Sequence, residues 1–224
     1  MTPALFEPLA LRGVTLPDRV VVAPMCQYSA TDGTMGDWHL MNLGSYAVGG
    51  PGLILIEATG VEPEGRITHG CTGLYSEENE AAMQRVVDFC RSVGHSKIGV
   101  QLGHAGRKAS SERPWEGRGP LGPDAEPWTT YAPSALATDN HWPAPVALDE
   151  AGLARIRDAF VAATRRAVRM GLDAVEIHAA HGYLLHQFLS PLSNQRTDGY
   201  GGSLENRLRY PLEVFAAVRD VWPG

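Results

Sequence analysis

The chain has 224 residues, of which 44% are hydrophobic and 25 are glycine, and this composition is typical of a globular protein rather than a disordered one. The formal net charge of −6 argues against nucleic acid or an anionic membrane surface as the main partner. We expect no membrane span, because no apolar stretch reaches the roughly 18 residues that a spanning helix needs.

Short apolar runs alternate with helical patterns along the chain. The predicted strands cover residues 19–24, 53–58, 98–102 and 173–177, and Pro24 is expected to end the first. The fourth, which contains Val175 and Ile177, is predicted to be buried. The predicted helices cover residues 37–48, the stretch that follows a cap at Ser76, and residues 148–170, 184–189 and 206–221, the last of them interrupted or kinked near Pro211. The resulting order, β-α-β-α-β-loop-α-β-α, predicts a parallel sheet with right-handed crossovers.

One long connection interrupts this alternation. Residues 103–147 are rich in Pro, Gly, Trp and Ser and show no apolar period. Long excursions of this kind inside a compact domain usually form a functional lid or a binding loop. We find no domain boundary within residues 1–224 and interpret the chain as part of a single domain.

Polar clusters follow each predicted strand, where the carboxyl ends of parallel strands bind ligands. This arrangement favours a TIM (β/α)8 barrel over an open doubly wound sheet, and no GxGxxG turn follows the first strand. Four strands are half of a barrel, so we expect the chain to carry roughly the first four βα units. Further strands would come from a longer protein, a complementary C-terminal half or a homo-oligomer.

His178 and His181 come directly after the fourth strand, with Tyr183 two residues further on. The two histidines could be zinc ligands, structural groups bonded to backbone, or a pair of donors aimed at one substrate oxygen. No third ligand is obvious, which argues against a metal site. Tyr183 is a candidate proton donor, since a tyrosine stays protonated at neutral pH. A carbonyl clamp with a neutral acid suits enolate chemistry, and the missing electron source indicates a cofactor.

The three cysteines, Cys26, Cys71 and Cys90, are odd in number and widely spaced. This spacing argues against a disulfide framework and fits a reducing cytoplasm, where we expect the protein to reside. Cys71 and Cys90 are interpreted as small buried apolar residues.

Several segments together resemble the old yellow enzyme family. They are residues 23–28 (APMCQY), 57–59 (EAT), 101–108 (QLGHAGRK), 178–184 (HAAHGYL) and 188–207, and they span essentially the whole chain in the family's order. Cys26 and Tyr28 place the resemblance with the bacterial branch, whose members are similar to the NADPH dehydrogenase that reduces activated alkenes. Gly103 stands where many relatives carry alanine.

The resemblance implies a barrel that binds FMN at its C-terminal face, with site residues carried over by motif. The implied cofactor contacts are Ala23, Pro24, Met25, Cys26, Ala58 and Gln101. The implied substrate contacts are Tyr28, His178, His181, Tyr183 and Lys108. By the same resemblance, Gln101 would bond the pyrimidine edge of the flavin, and Cys26 would tune its potential. The implied catalytic groups are Tyr183, as acid, with His178 and His181 on the substrate carbonyl.

The resemblance also implies a reaction in which NADPH or NADH reduces FMN, and the flavin then reduces the C=C bond of an enone or nitroalkene. The family's phosphate-binding loops would lie in the second half of the barrel, beyond residue 224. Two alternatives stay open on the sequence alone. One is a flavin-free half-barrel that only associates with itself or a complementary chain. The other is part of a larger iron–sulfur flavin reductase of the enoate type.

Overall fold

The computed structural model describes residues 3–223, which fold into five helices and eight strands. The strands are β1 (Leu9–Leu11), β2 (Val14–Leu16), β3 (Val21–Val22), β4 (Leu53–Gly60), β5 (Lys97–Gly103), β6 (Tyr131–Ala132), β7 (Val146–Ala147) and β8 (Ala174–Ile177). The helices are α1 (Asp37–Gly49), α2 (Glu77–Val93), α3 (Glu150–Arg169), α4 (Leu184–Leu189) and α5 (Leu204–Val221).

The central sheet has the order β3-β4-β5-β8, and its strands are parallel throughout. Helices α1, α2 and α3 connect successive strands, as the alternating pattern predicts. Because the strands are parallel, their carboxyl ends meet at one edge, where the predicted polar clusters follow them. This part of the fold is four successive strands of an α/β barrel.

Burial within the sheet follows the position of each strand. The apolar run from Leu53 to Ile56 in β4 has a neighbour on both sides, and Ile54 and Ile56 are fully buried. The prediction of a buried fourth strand is wrong: Val175 is only partly buried and Glu176 is exposed. Among the described residues, β8 pairs only with β5, which leaves its other edge without a neighbour.

Two helices begin at side-chain caps. Ser76 Oγ accepts from the Asn79 N–H at 3.1 Å and starts α2, as the sequence indicates. Asp149 Oδ1 accepts from the Gly152 N–H at 2.8 Å and starts α3 two residues later than expected. Ile156 and Phe160, on the inner face of α3, are fully buried in the core.

The structure also differs from the predicted elements. β1 and β2 form an antiparallel hairpin that the sequence pattern did not indicate, and β3 is limited to two residues. The excursion 103–147 contains β6, which pairs with β7 at residues 146–147. Helix α5 is not interrupted at Pro211 and starts at residue 204, because Ser203 Oγ caps it by accepting from the Asn206 N–H. No helix within residues 3–223 is long and apolar enough to cross a membrane.

Candidate active site

Seven of the predicted site residues line three depressions at the carboxyl ends of the sheet strands, and two of these depressions share Tyr183. Ala58, His178 and Tyr183 line a small cavity. Tyr183 also lines a cleft of about 470 Å³ together with Tyr28 and Lys108. Residues of the loop after β3, among them Ala23 and Met25, line a third depression beside Glu57. Residues from four strands therefore meet at one face of the sheet.

The two histidines form a contacting pair. His181 Nδ1 lies 3.3 Å from His178 Nε2, and the ring centroids are 5.2 Å apart. His178 Nδ1 accepts from the Ala180 N–H at 3.2 Å, so the neutral His178 ring carries its proton on Nε2. In this contact His178 Nε2 is therefore the donor and His181 Nδ1 the acceptor. An oxygen that bonds both nitrogens at about 2.9 Å needs the His178 N–H to turn toward it and His181 Nδ1 to carry a proton.

Burial sets the protonation of the groups around this pair. The His178 side chain is buried, and burial followed by the neighbouring His181 lowers the pKa of its imidazole, which favours the neutral ring. Tyr183 stands edge-on to His178, with ring centroids 4.7 Å apart. Burial raises the pKa of the Tyr183 phenol well above its ordinary value. These shifts favour a neutral His178 imidazole beside a phenol that stays protonated.

Tyr28 takes a left-handed backbone conformation with φ of +52°. Its carbonyl accepts from Arg113 Nε at 3.0 Å, and its ring meets that of Trp115 edge-on at 5.8 Å. Gly70 lies so close that a Cβ there would come within 2.2 Å of the Tyr28 carbonyl oxygen. Burial, followed by the nearby Cys26, raises the pKa of Tyr28 to about 12. These contacts hold a neutral phenol at the rim of the cleft.

The loop after β3 is anchored by the side chain of Glu57. Glu57 Oε2 accepts from the Gln27 N–H at 2.8 Å, directly after Cys26, and the Glu57 side chain is buried. His39 Nε2 lies 3.4 Å from Glu57 Oε1. Burial, followed by charge repulsion from Cys71 and Glu57, raises the pKa of the Cys26 thiol far above its ordinary value. This shift favours the neutral thiol over the thiolate.

Gln101 lies in β5 and is buried, opposite Glu176 in the β5–β8 register. Its amide Nε2 donates to Glu176 Oε1. Pro24 lies between Ala23 and Met25, which line the depression beside Glu57. Lys108 lies on a short 3-10 turn after β5, and its Nζ donates to the His181 carbonyl at 2.7 Å.

Two structural groups near the site were missed by the sequence reasoning. Glu62 is buried and bonds both His104 Nε2, at 2.9 Å, and Arg155. Gln187, in α4, is also buried and donates to the backbone carbonyls of Ala105 and Gly182. Polar residues within apolar surroundings were the available signal. The partners of Glu62 lie 42 and 93 positions away and the Ala105 partner of Gln187 lies 82 positions away, so no local pattern predicts these bonds.

Residues 188–207, which carry part of the family resemblance, make hydrogen bonds that stabilise the fold. Asn194 Nδ2 donates to the carbonyls of Phe188 and Tyr200, each at 2.8 Å. Arg196 donates to the carbonyls of Pro133 and Leu148, near the end of the long excursion. This run therefore joins α4 and α5 to the excursion. Among the described residues, no three His, Cys, Asp or Glu side chains are grouped as metal ligands.

The parallel sheet carries a histidine pair and two tyrosines at the carboxyl ends of its strands. This arrangement is typical of an α/β barrel protein, whose site lies at the C-terminal face. The sequence model of the NADH:flavin oxidoreductase / NADH oxidase family matches residues 4–222. The chain therefore belongs to that family, and the resemblance drawn from the sequence motifs is confirmed.

Individual relatives agree with this assignment. The chain is 47% identical to an NADH:flavin oxidoreductase of Gibberella zeae, over 98% of the chain and 54% of that relative. It is 42% identical to an NADPH dehydrogenase of Bacillus subtilis, over 100% of the chain and 62% of the relative. Morphinone reductase superposes with a TM-score of 0.86 at 34% identity, covering 99% of this chain and 60% of that structure. The chain thus spans about 54 to 62% of the length of these proteins.

Proposed function

We propose that this protein takes part in FMN-dependent reduction of the C=C bond of α,β-unsaturated carbonyl or nitro compounds, with NADPH or NADH as the hydride donor. The observation that carries the proposal is the histidine pair, whose facing nitrogens lie 3.3 Å apart beside the protonated Tyr183 phenol. Its relatives include proteins named NADPH dehydrogenase, and solved structures of morphinone reductase include a complex with tetrahydroNAD.

The residues after β3, β4 and β5 fit a flavin ring by their chemistry. Ala23, Pro24 and Ala58 are small and leave room beside the sheet for a planar group. The Gln101 amide offers both a donor and an acceptor, which suits the pyrimidine edge of a flavin. Met25 and Cys26, in the same loop, would line the ring. Bound FMN would supply the hydride chemistry that no side chain of this site can supply.

The chain's own groups would bind and orient the substrate. His178 and His181 would donate to the carbonyl or nitro oxygen and stabilise the negative charge that grows on it, a contribution of about 3 to 4 kcal/mol per donor in a site that excludes water. Tyr183 would give its proton to the α-carbon. Tyr28 would line the pocket on the opposite side, where its neutral phenol adds no charge.

The test replaces each histidine by asparagine and measures binding of 4-hydroxybenzaldehyde, whose phenolate oxygen resembles an enolate oxygen. We expect His178→Asn with His181→Asn to abolish this binding while the fold is retained. His95→Asn is the matched control, because His95 precedes β5 at the opposite end of the sheet. Unchanged affinity in the double variant would contradict the assigned role of the pair.

A second candidate is a chain that binds flavin only after pairing with the complementary half of a barrel. The sheet favours it, because within residues 3–223 β3 and β8 each pair on one side only. Val21 on β3 and Met25 beyond it are also exposed, and the relatives are longer. Absorbance near 450 nm of the purified protein separates the two candidates. A colourless protein that turns yellow only when the C-terminal half of a relative is added would support pairing.

A further inference from the structure

The turn that carries His181 is held by side chains from outside its own strand. Lys108 Nζ donates to the His181 carbonyl at 2.7 Å, and Gln187 Nε2 donates to the Gly182 carbonyl at 2.7 Å. Two consecutive carbonyls are therefore bonded, one from the turn after β5 and one from α4. The Ala180 carbonyl accepts from the Tyr183 N–H at 3.1 Å, so each of the two peptide planes that flank the His181 Cα is fixed by a hydrogen bond, and with them the direction in which its side chain leaves the backbone.

The backbone here is strained, which makes these bonds necessary. His181 has φ of +55° and Gly182 has φ of +76°, so both lie in the left-handed region. That conformation is unfavourable for a residue with a Cβ, such as His181, because the Cβ comes too close to the following carbonyl oxygen. Strained residues of this kind persist only where the surroundings over-determine them.

Lys108 is itself fixed by the same group of contacts. Gln187 Oε1 accepts from the Arg107 N–H at 3.3 Å, and its Nε2 also donates to the Ala105 carbonyl at 3.1 Å. One glutamine side chain thus ties the Lys108 turn to the His181 turn. The Lys108 ammonium also lies 5.8 Å from the centroid of the Tyr183 ring. It therefore sits between the backbone of one proposed site residue and the ring of another.

We propose that Lys108 is a positioning residue for the histidine pair. Its ammonium holds His181 in the left-handed conformation that turns the imidazole toward His178, and it acts through this backbone bond rather than by touching the substrate. The inference rests on the proposed function only in assuming that the pair binds the substrate oxygen. The contact between the two rings is a feature of the protein without ligand.

The test compares Lys108→Met, which keeps the chain length but removes the donor, with Lys108→Arg, which restores a cationic donor. Lys97→Met is the matched control, because Lys97 is the only other lysine of the chain and pairs with Asp173 at the amino end of β5. The first readout is the ¹⁵N spectrum of the histidine rings without ligand. We expect Lys108→Met to shift the resonances of His178 and His181, and Lys108→Arg to return them toward the original values.

The second readout is the dissociation constant for 4-hydroxybenzaldehyde, which we expect Lys108→Met to raise about tenfold and Lys108→Arg to leave within about threefold. Weaker binding with unchanged ring resonances would mean that Lys108 touches the ligand directly, and this would overturn the proposal. Ring resonances that Lys108→Arg fails to restore would also overturn it. Because the spectrum needs no ligand, failure of the proposed function is detected separately, as absence of binding in the unmodified protein.

Discussion

Replacing Glu62 tests whether its buried carboxylate stabilises the fold beside the candidate site. Glu62 Oε1 accepts from His104 Nε2 at 2.9 Å, and its other oxygen bonds Arg155. His104 Nδ1 accepts from the Gly106 N–H at 3.0 Å, so a neutral His104 carries its proton on Nε2 and donates it to Glu62. The bond therefore needs no charged histidine.

The magnitude follows from the exposure of the two partners. The His104 side chain is 0% exposed, so Glu62→Ala leaves a buried N–H without an acceptor, which costs about 1 to 3 kcal/mol. The Arg155 side chain is 42% exposed and can turn to water, so its loss adds less than about 1 kcal/mol. We expect Glu62→Ala to lower the free energy of unfolding by about 2 to 3 kcal/mol. Glu62→Gln keeps an acceptor for His104 but turns an amide donor toward Arg155, and we expect a loss of about 1 kcal/mol.

Urea unfolding at pH 7, followed by circular dichroism and tryptophan fluorescence, measures these differences. Glu116→Ala is the control, because Glu116 pairs with Arg113 on the surface, and we expect an unchanged midpoint. The stability should fall in the order unmodified protein, Glu62→Gln, Glu62→Ala. Equal losses in the two Glu62 variants would refute the assignment of His104 as donor, and a loss below about 0.5 kcal/mol in Glu62→Ala would refute the whole reasoning.

Three further predictions concern protonation. Burial alone would raise the pKa of Glu62, but the hydrogen bonds and charges of His104 and Arg155 lower it overall. The ionised Glu62 side chain therefore stabilises the folded protein fully above the unfolded pKa of about 4.3. This contribution is lost as pH falls through the lower folded pKa. The stability difference between the unmodified protein and Glu62→Gln should therefore shrink in urea titrations below about pH 4. Tyr183→Phe should slow alkene reduction more than flavin reduction by NADPH in stopped-flow measurements, and equal slowing would argue against proton donation. Desolvation raises the pKa of the partly buried Cys26 thiol, so iodoacetamide should label Cys26 at pH 8 much more slowly in the folded protein than in the urea-unfolded chain, and equal rates would contradict the raised pKa.

Much of the fold could be predicted because its signals are local. The apolar run beginning at Leu53 has the composition of a strand with two neighbours, and the structure places it at the centre of the sheet. Ser76 marks the start of α2 by its own side-chain bond. The histidine pair could be located because the residues that follow a parallel strand lie at its carboxyl end. In each case a few consecutive residues contain the whole signal.

The parts that could not be predicted depend on distant partners. Whether β8 is buried depends on which strands lie beside it, and Val175 alone does not contain that information. The hydrogen bonds of Glu57 to Gln27 and of Glu62 to Arg155 join residues 30 and 93 positions apart. The left-handed conformation of His181 could not be predicted either, because only a small fraction of residues other than glycine adopt it.

The long excursion at 103–147, whose length predicts a lid or a binding loop, also supports the backbone of the candidate site. Two residues of the candidate site, Tyr28 and His181, adopt left-handed backbone conformations although both carry a Cβ. The carbonyl of each accepts a hydrogen bond from a cationic side chain of this excursion, Tyr28 from Arg113 at 3.0 Å and His181 from Lys108 at 2.7 Å. A hydrogen bond from a cationic side chain to a backbone carbonyl thus supports both residues. Because strained residues persist only where their surroundings over-determine them, we expect the loss of either hydrogen bond to change the backbone conformation at that side of the pocket.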